Sequence, residues 1–116
     1  MAKSMSAALK NVYYAKWCDA HRLKFVAKIF MQANAILFNC YIDYRASIPR
    51  DTILSHHGSG VVINKAAIIG NNVNIAHGVT IGNRMPDHPG APVIGNNVYI
   101  GCGSYIGQAV RKLGHK

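Results

Sequence analysis

The chain has 116 residues, with thirteen Lys and Arg against four acids, a net charge of +9 and 50% hydrophobic residues. That length allows one domain, with room for a helical extension, and that apolar content excludes wholesale disorder. The acids are Asp19, Asp43, Asp51 and Asp87, and Glu is absent, so a mechanism that needs a carboxylate has four candidates and Glu-based metal or acid–base schemes are excluded.

Residues 1–16 carry Lys3, Lys10 and Lys16 with no compact apolar run between them, which does not read as a signal peptide. A first helix is expected over about 6–17, with Leu9, Val12 and Tyr13 on its apolar side. A second is expected over about 19–39, capped by Asp19, with Leu23, Val26, Phe30, Ala33 and Leu37 as its inward stripe. Lys28, Gln32, Asn34 and Asn39 interrupt its apolar residues, so it is too polar to cross a bilayer. Surface contact of these basic helices with a membrane stays compatible with the sequence. Aromatic residues interleave with Lys16, Arg22, Lys24 and Lys28. A nucleic-acid binder would use that pattern, but a packed face beside a solvated basic face explains it as well, and no nucleic-acid partner is expected.

Residues 1–48 contain neither Gly nor Pro, whereas 49–116 contain all eleven Gly and all four Pro, so the grammar changes from helix to turn-rich β structure. Ile63, Ile69, Ile75 and Ile81 stand six residues apart, and Ile94, Ile100 and Ile106 resume the step. Gly follows five of the seven, and small or aliphatic residues (Ala67, Val73, Val79, Val98, Ser104, Val110) stand four places after six of them. A period of six fits neither a helix nor an alternating strand; it is the mark of a coil in which each hexad makes one short strand and one corner. Three hexads close a triangular turn of about 18 residues whose isoleucines stack in the interior. The glycines and the pairs Asn71-Asn72 and Asn96-Asn97 would supply positive φ at corners. Between Ile81 and Ile94 the step is thirteen residues and holds three prolines, which reads as a loop, 83–92, extruded from one corner. The division expected is a helical segment over 1–45 and a coil over 46–116. Cys18, Cys40 and Cys102 lie far apart, without metal or redox spacing, and suit a reducing compartment.

The run ILSHHGSGVVINKAAIIGNNVNIAHGVTIG, the later DHPGAPVIGNNVYIGCGSYIG and the preceding FNCYIDYRASIP resemble the hexapeptide-repeat acetyltransferases, in particular the serine acetyltransferase-like group that includes polysaccharide O-acetyltransferases. The resemblance covers about residues 20–110. It implies a mainly β protein, a left-handed parallel β-helix preceded by N-terminal α-helices. It also implies a cytoplasmic homotrimer with sites between subunits, which transfers acetyl from acetyl-CoA to a hydroxyl of serine or of a sugar. A hydroxyl is a poor nucleophile towards a thioester, so such chemistry needs a base, and a His is suited to the task. His57, directly followed by Gly58-Ser59-Gly60-Val61-Val62-Ile63, matches the family's catalytic His. His56 stands where serine acetyltransferases have Asp. Asp43, one residue closer to the His than in serine acetyltransferases, resembles the Asp that orients it, and His88 resembles the His of the family's acceptor-contacting loop. Asp19 is left as a cap, Asp51 as a turn residue and His77 as structural. His56, His57, His77 and His88 show no sequence-local ligand spacing, so no metal is expected. The resemblance implies further coils beyond Ile106-Gly107, so the chain reads as shortened at its C-terminal end. The rival readings are a non-catalytic coil used for assembly and, less favoured, the basic nucleic-acid binder.

Overall fold

The computed structural model of the protein describes residues 5–82 and 92–107. Among the described residues two helices in contact with each other come first, α1 (Ala7–Ala20) and α2 (Lys24–Phe38), followed by nine two-residue strands. The strands are β1 (Tyr41–Ile42), β2 (Ile53–Leu54), β3 (Val62–Ile63), β4 (Ile68–Ile69), β5 (Asn74–Ile75), β6 (Thr80–Ile81), β7 (Val93–Ile94), β8 (Tyr99–Ile100) and β9 (Tyr105–Ile106). They form three parallel ladders, β1-β3-β6-β9, β2-β5-β8 and β4-β7, and a bridge from Ser47 to Ile68 extends the third. The chain visits the three ladders in rotation and so winds as a three-sided coil.

The hexad spacing explains the registers. Ile42, Ile63, Ile81 and Ile106 stack on one side, Leu54, Ile75 and Ile100 on the second, and Ile69 and Ile94 on the third. All seven hexad isoleucines are buried, and each such side chain contributes about 1.5–3 kcal/mol relative to an exposed one. The thirteen-residue step leaves the ladders intact, because Ile94 returns to the register of Ile69. The extruded loop expected there lies, but for Pro92, outside the described residues, and so does Val110.

The corners differ from expectation in one respect. Asn72 and Asn97 take positive φ, but the glycines that follow the isoleucines do not; positive φ falls instead on Gly58, Gly60, Gly78 and Gly103. Gly70 is required for space: a Cβ there would lie 2.8 Å from the carbonyl carbon of Gly95 in the next turn. Asparagines tie that corner together, since the Asn71 amide donates to Asn96 Oδ1 and Asn72 Nδ2 to Asn97 Oδ1, both at 2.7 Å.

The helices also correct the sequence reading. Ser6 caps α1, accepting from the Leu9 amide, and α1 runs on through Asp19, which therefore caps nothing. No side chain caps α2, which ends in a left-handed Asn39. The buried positions of α2 are Ala27 and Asn34, while Leu23 and Leu37 are exposed. Small residues decide this face: Ala8 and Ala15 of α1 and Ala27 of α2 are fully buried. Asn34 is buried with them because it is satisfied, donating to the Ala8 carbonyl at 3.0 Å and accepting from Asn11 Nδ2 at 2.9 Å. The helices are fastened to the first turn of the coil by Lys16, which donates to the Ala46 carbonyl at 2.6 Å, and by the Tyr13 hydroxyl, which donates to the Ile48 carbonyl. Among the described residues no helix is long and apolar enough to cross a membrane.

Candidate active site

Between β2 and β3 the backbone makes a tight 3-10 turn, Ser55–Gly58, in which His56 (φ 52°) and His57 (φ 61°) both lie in the left-handed region, followed by Gly58 at φ 77°. Two consecutive side-chain-bearing residues there cost about 1–2 kcal/mol each, and strain of this kind gathers at functional sites. The turn is held by Ser59 N–H to His56 O at 3.1 Å, Val61 N–H to Gly58 O at 2.9 Å and Gly60 N–H to Asn39 O at 2.7 Å. Gly58 is buried against Leu54 and Cys40. The base of the turn is thus buried while both imidazoles are exposed.

The two rings part company. His57 stacks on Phe38 at the end of α2, with centroids 6.1 Å apart and planes 24° apart. His56 meets His77 edge to face at 4.9 Å, and these two with Ser59 line a pocket of about 290 Å³. Sequence reading missed this grouping. Its signal is the recurrence of a polar residue before a positive-φ glycine: Ser59-Gly60, His77-Gly78 and Cys102-Gly103. The backbone joins these corners, with Gly78 N–H bonded to Ser59 O at 2.8 Å and Gly103 N–H to His77 O at 3.2 Å. Ser59, His77 and the exposed, free Cys102 therefore occupy one corner row, a turn apart.

Asp43 closes β1 and is buried. Its Oδ1 accepts from the Arg45 backbone N–H and from Arg45 Nε, and its Oδ2 from Arg45 Nη2, all at 2.9 Å. Burial pushes the carboxyl up, but the Arg45 hydrogen bonds, together with the charges of Arg45 and Lys65, outweigh it and hold the pKa below the ordinary value. No hydrogen bond joins Asp43 to His57, and the His57 ring nitrogens have no hydrogen-bond partner among the described residues. Asp51, at its turn, accepts the Asn72 amide at 3.0 Å and so links successive turns. Asp19 is reached by the Tyr44 hydroxyl at 3.5 Å. His88 and Asp87 lie outside the described residues. Among the described residues no three His, Cys or acidic side chains gather as a metal site.

No family model matches the chain. It is 43% identical over 87 residues to the Escherichia coli K12 protein named as the colanic acid biosynthesis acetyltransferase WcaB, an alignment covering 67% of this chain and 53% of that protein. It is 36% identical over 74 residues to the chloroplastic serine acetyltransferase 1 of Arabidopsis thaliana, covering 56% of this chain and 23% of that one. In three dimensions it superposes on the serine acetyltransferase of Brucella abortus with a TM-score of 0.81 and 27% identity, covering 90% of this chain and 42% of that one. The Neisseria gonorrhoeae enzyme solved in complex with serine gives a TM-score of 0.79 at 27% identity, with 90% of this chain and 43% of that chain covered. A second Brucella abortus structure, TM-score 0.80 at 27% identity over 90% of this chain and 42% of that one, was solved in complex with Coenzyme A. The chain spans about half the length, or less, of these relatives.

Proposed function

We propose, from its standing as a serine acetyltransferase-like hexapeptide acetyltransferase, that this chain carries the acceptor-side machinery of an acetyl-CoA-dependent O-acetyltransferase. The acceptor is a hydroxyl of serine or of a polysaccharide precursor, the two classes that the relatives' names specify. The observation that carries the reading is the strained turn that presents His57, exposed and braced on Phe38, at a corner of the coil. His57 takes the proton of the acceptor hydroxyl as its oxygen attacks the thioester carbonyl. The C–S bond then breaks, and the departing CoA sulfur recovers the proton from the imidazolium.

The coil winds left-handed, as in the family, and the site is completed between subunits of a homotrimer in the cytoplasm. The helical segment over 1–45 and the coil over 46–116 act as its two parts. Asp43 orients the base, which requires it to give up part of its Arg45 pairing, and His88 contacts the acceptor. The net charge of +9 suits the phosphates of acetyl-CoA.

The test is release of free thiol from acetyl-CoA in the presence of serine or of a panel of sugars, with His57→Ala beside the wild type. Turnover that depends on one acceptor and on His57 supports the reading. Thiol release at equal rates in the two proteins would remove His57 from the mechanism. If no acceptor promotes release and acetyl-CoA does not bind, the assembly reading takes its place.

A further inference from the structure

Beside the contact of α1 with the first turn of the coil, Met5, Lys10, Tyr13, Tyr14, Trp17 and Arg50 line a pocket of about 310 Å³. None of these residues belongs to the histidine corner. Tyr14 and Trp17 are 52% and 57% exposed, and exposed aromatic surface gathered in one concavity calls for an occupant. The walls are held in place. The Tyr13 hydroxyl is bonded to the Ile48 carbonyl, Tyr14 packs on Phe30 with centroids 5.5 Å apart, and His21 stacks on one face of Trp17 at 3.9 Å.

The rim is cationic. The Arg50 guanidinium lies 4.2 Å from the Tyr13 ring centroid and Lys16 Nζ lies 6.0 Å from it. Among the described residues neither Arg50 nor Lys10 spends its side-chain donors on a hydrogen bond or ion pair; the ion pair present is Arg45–Asp43. Asp51 is the acid near Tyr13, and its carboxylate accepts the Asn72 amide. A guanidinium fixed over a ring with its fork of N–H groups free is arranged for bidentate capture of a carboxylate or phosphate, and open aromatic faces take the flat side of a ring.

We propose that this pocket is a second binding site, for a sugar ring that bears a carboxylate or a phosphate, separate from the acetyl-transfer corner. The volume, at the small end of ligand pockets of about 300–1,000 Å³, admits one such unit. The preference for a sugar over another anionic ring rests on the reading that the acceptor is a polysaccharide precursor; the cationic and aromatic character of the pocket does not. In that setting the pocket holds an acidic residue of the chain whose hydroxyl is being modified elsewhere.

Trp17 is the single tryptophan, so intrinsic fluorescence of the full chain reports on this pocket. Titration with D-glucuronate and with glucose 1-phosphate is expected to change that fluorescence saturably, with a dissociation constant on the order of 1 mM for so small a polar ligand. The two probes separate a carboxylate from a phosphate as the anionic group. Arg50→Gln is expected to weaken binding of the better probe about tenfold, the loss of a charge-assisted pair, while His57→Ala leaves the titration unchanged. That last result holds whether or not His57 is a base, so failure of this site and failure of the acetyltransferase reading are told apart. The proposal is overturned if neither probe gives a saturable change, if Arg50→Gln titrates like the wild type, or if glucose binds as tightly as the charged sugars. Equal affinity for inorganic phosphate alone, or tighter binding of AMP, overturns the assignment to a sugar.

Discussion

Arg45 grips the carboxylate of Asp43 through two side-chain N–H groups and its own backbone N–H, each at 2.9 Å. Asp43 is buried where β1 ends and the coil turns for the first time, so the pair fastens the lowest rung. Its folded pKa lies below the ordinary value. The stability it contributes is therefore fully present above its unfolded pKa of about 3.9 and lost as pH falls through the folded value. Asp43→Asn is expected to be less stable than the wild type at pH 7 and to lose less on acidification, so urea midpoints of the two converge below about pH 4. Parallel midpoints from pH 7 to pH 3 would show that the pair contributes no pH-dependent stability.

If His57 acts as the base, its replacement by Ala lowers kcat by about 10²–10⁴ with the far-ultraviolet circular dichroism unchanged, because the ring is exposed and its stacking partner Phe38 stays packed. A His56→Ala control is expected to have the smaller effect on kcat, since its ring faces His77 and not Phe38. A larger loss in the control would move the role of base to His56.

Two glycines that each follow a hexad isoleucine should respond in opposite ways to the same added methyl. At Gly70 a Cβ would lie 2.8 Å from the Gly95 carbonyl group, whereas at Gly101 nothing lies within 4 Å. Gly70→Ala is expected to cost about 1–3 kcal/mol through displaced backbone. Gly101→Ala should be neutral or stabilising by about 0.4–1 kcal/mol, because it stiffens the unfolded chain. Urea unfolding of the two variants decides this, and equal stabilities would mean that the turns do not approach so closely.

Asn34 is the polar link between α1 and α2. Asn34→Ala leaves the Ala8 carbonyl and Asn11 Nδ2 without this partner and is expected to cost about 1–3 kcal/mol. Thermal unfolding checks it; a midpoint within a degree of wild type would show that water replaces the amide at no cost.

The ladders could be read from the sequence because a period of six is a local property. Each isoleucine is placed inward by the conformation of its own hexad, and neighbouring hexads then bring like residues into register, as Ile63, Ile81 and Ile106 do. The motif around His57 was legible for the same reason, as a contiguous string that must fold into one turn. What only the tertiary structure decided depends on surfaces that meet across long separations. Apolar residues lie on more than one side of α2, so periodicity set the inward stripe only approximately: Val26 and Phe30 do pack on the core, but the buried positions are Ala27 and Asn34, because α1 presents small residues and the Ala8 carbonyl there. Adjacent in sequence, His56 and His57 face different elements because consecutive left-handed residues turn their side chains apart, one onto His77 and the other onto Phe38. Asp43 lies fourteen residues before His57, yet its carboxylate is held by Arg45, two residues away. In a buried carboxylate the nearest strong donor wins, and which donor is nearest is a matter of three-dimensional position.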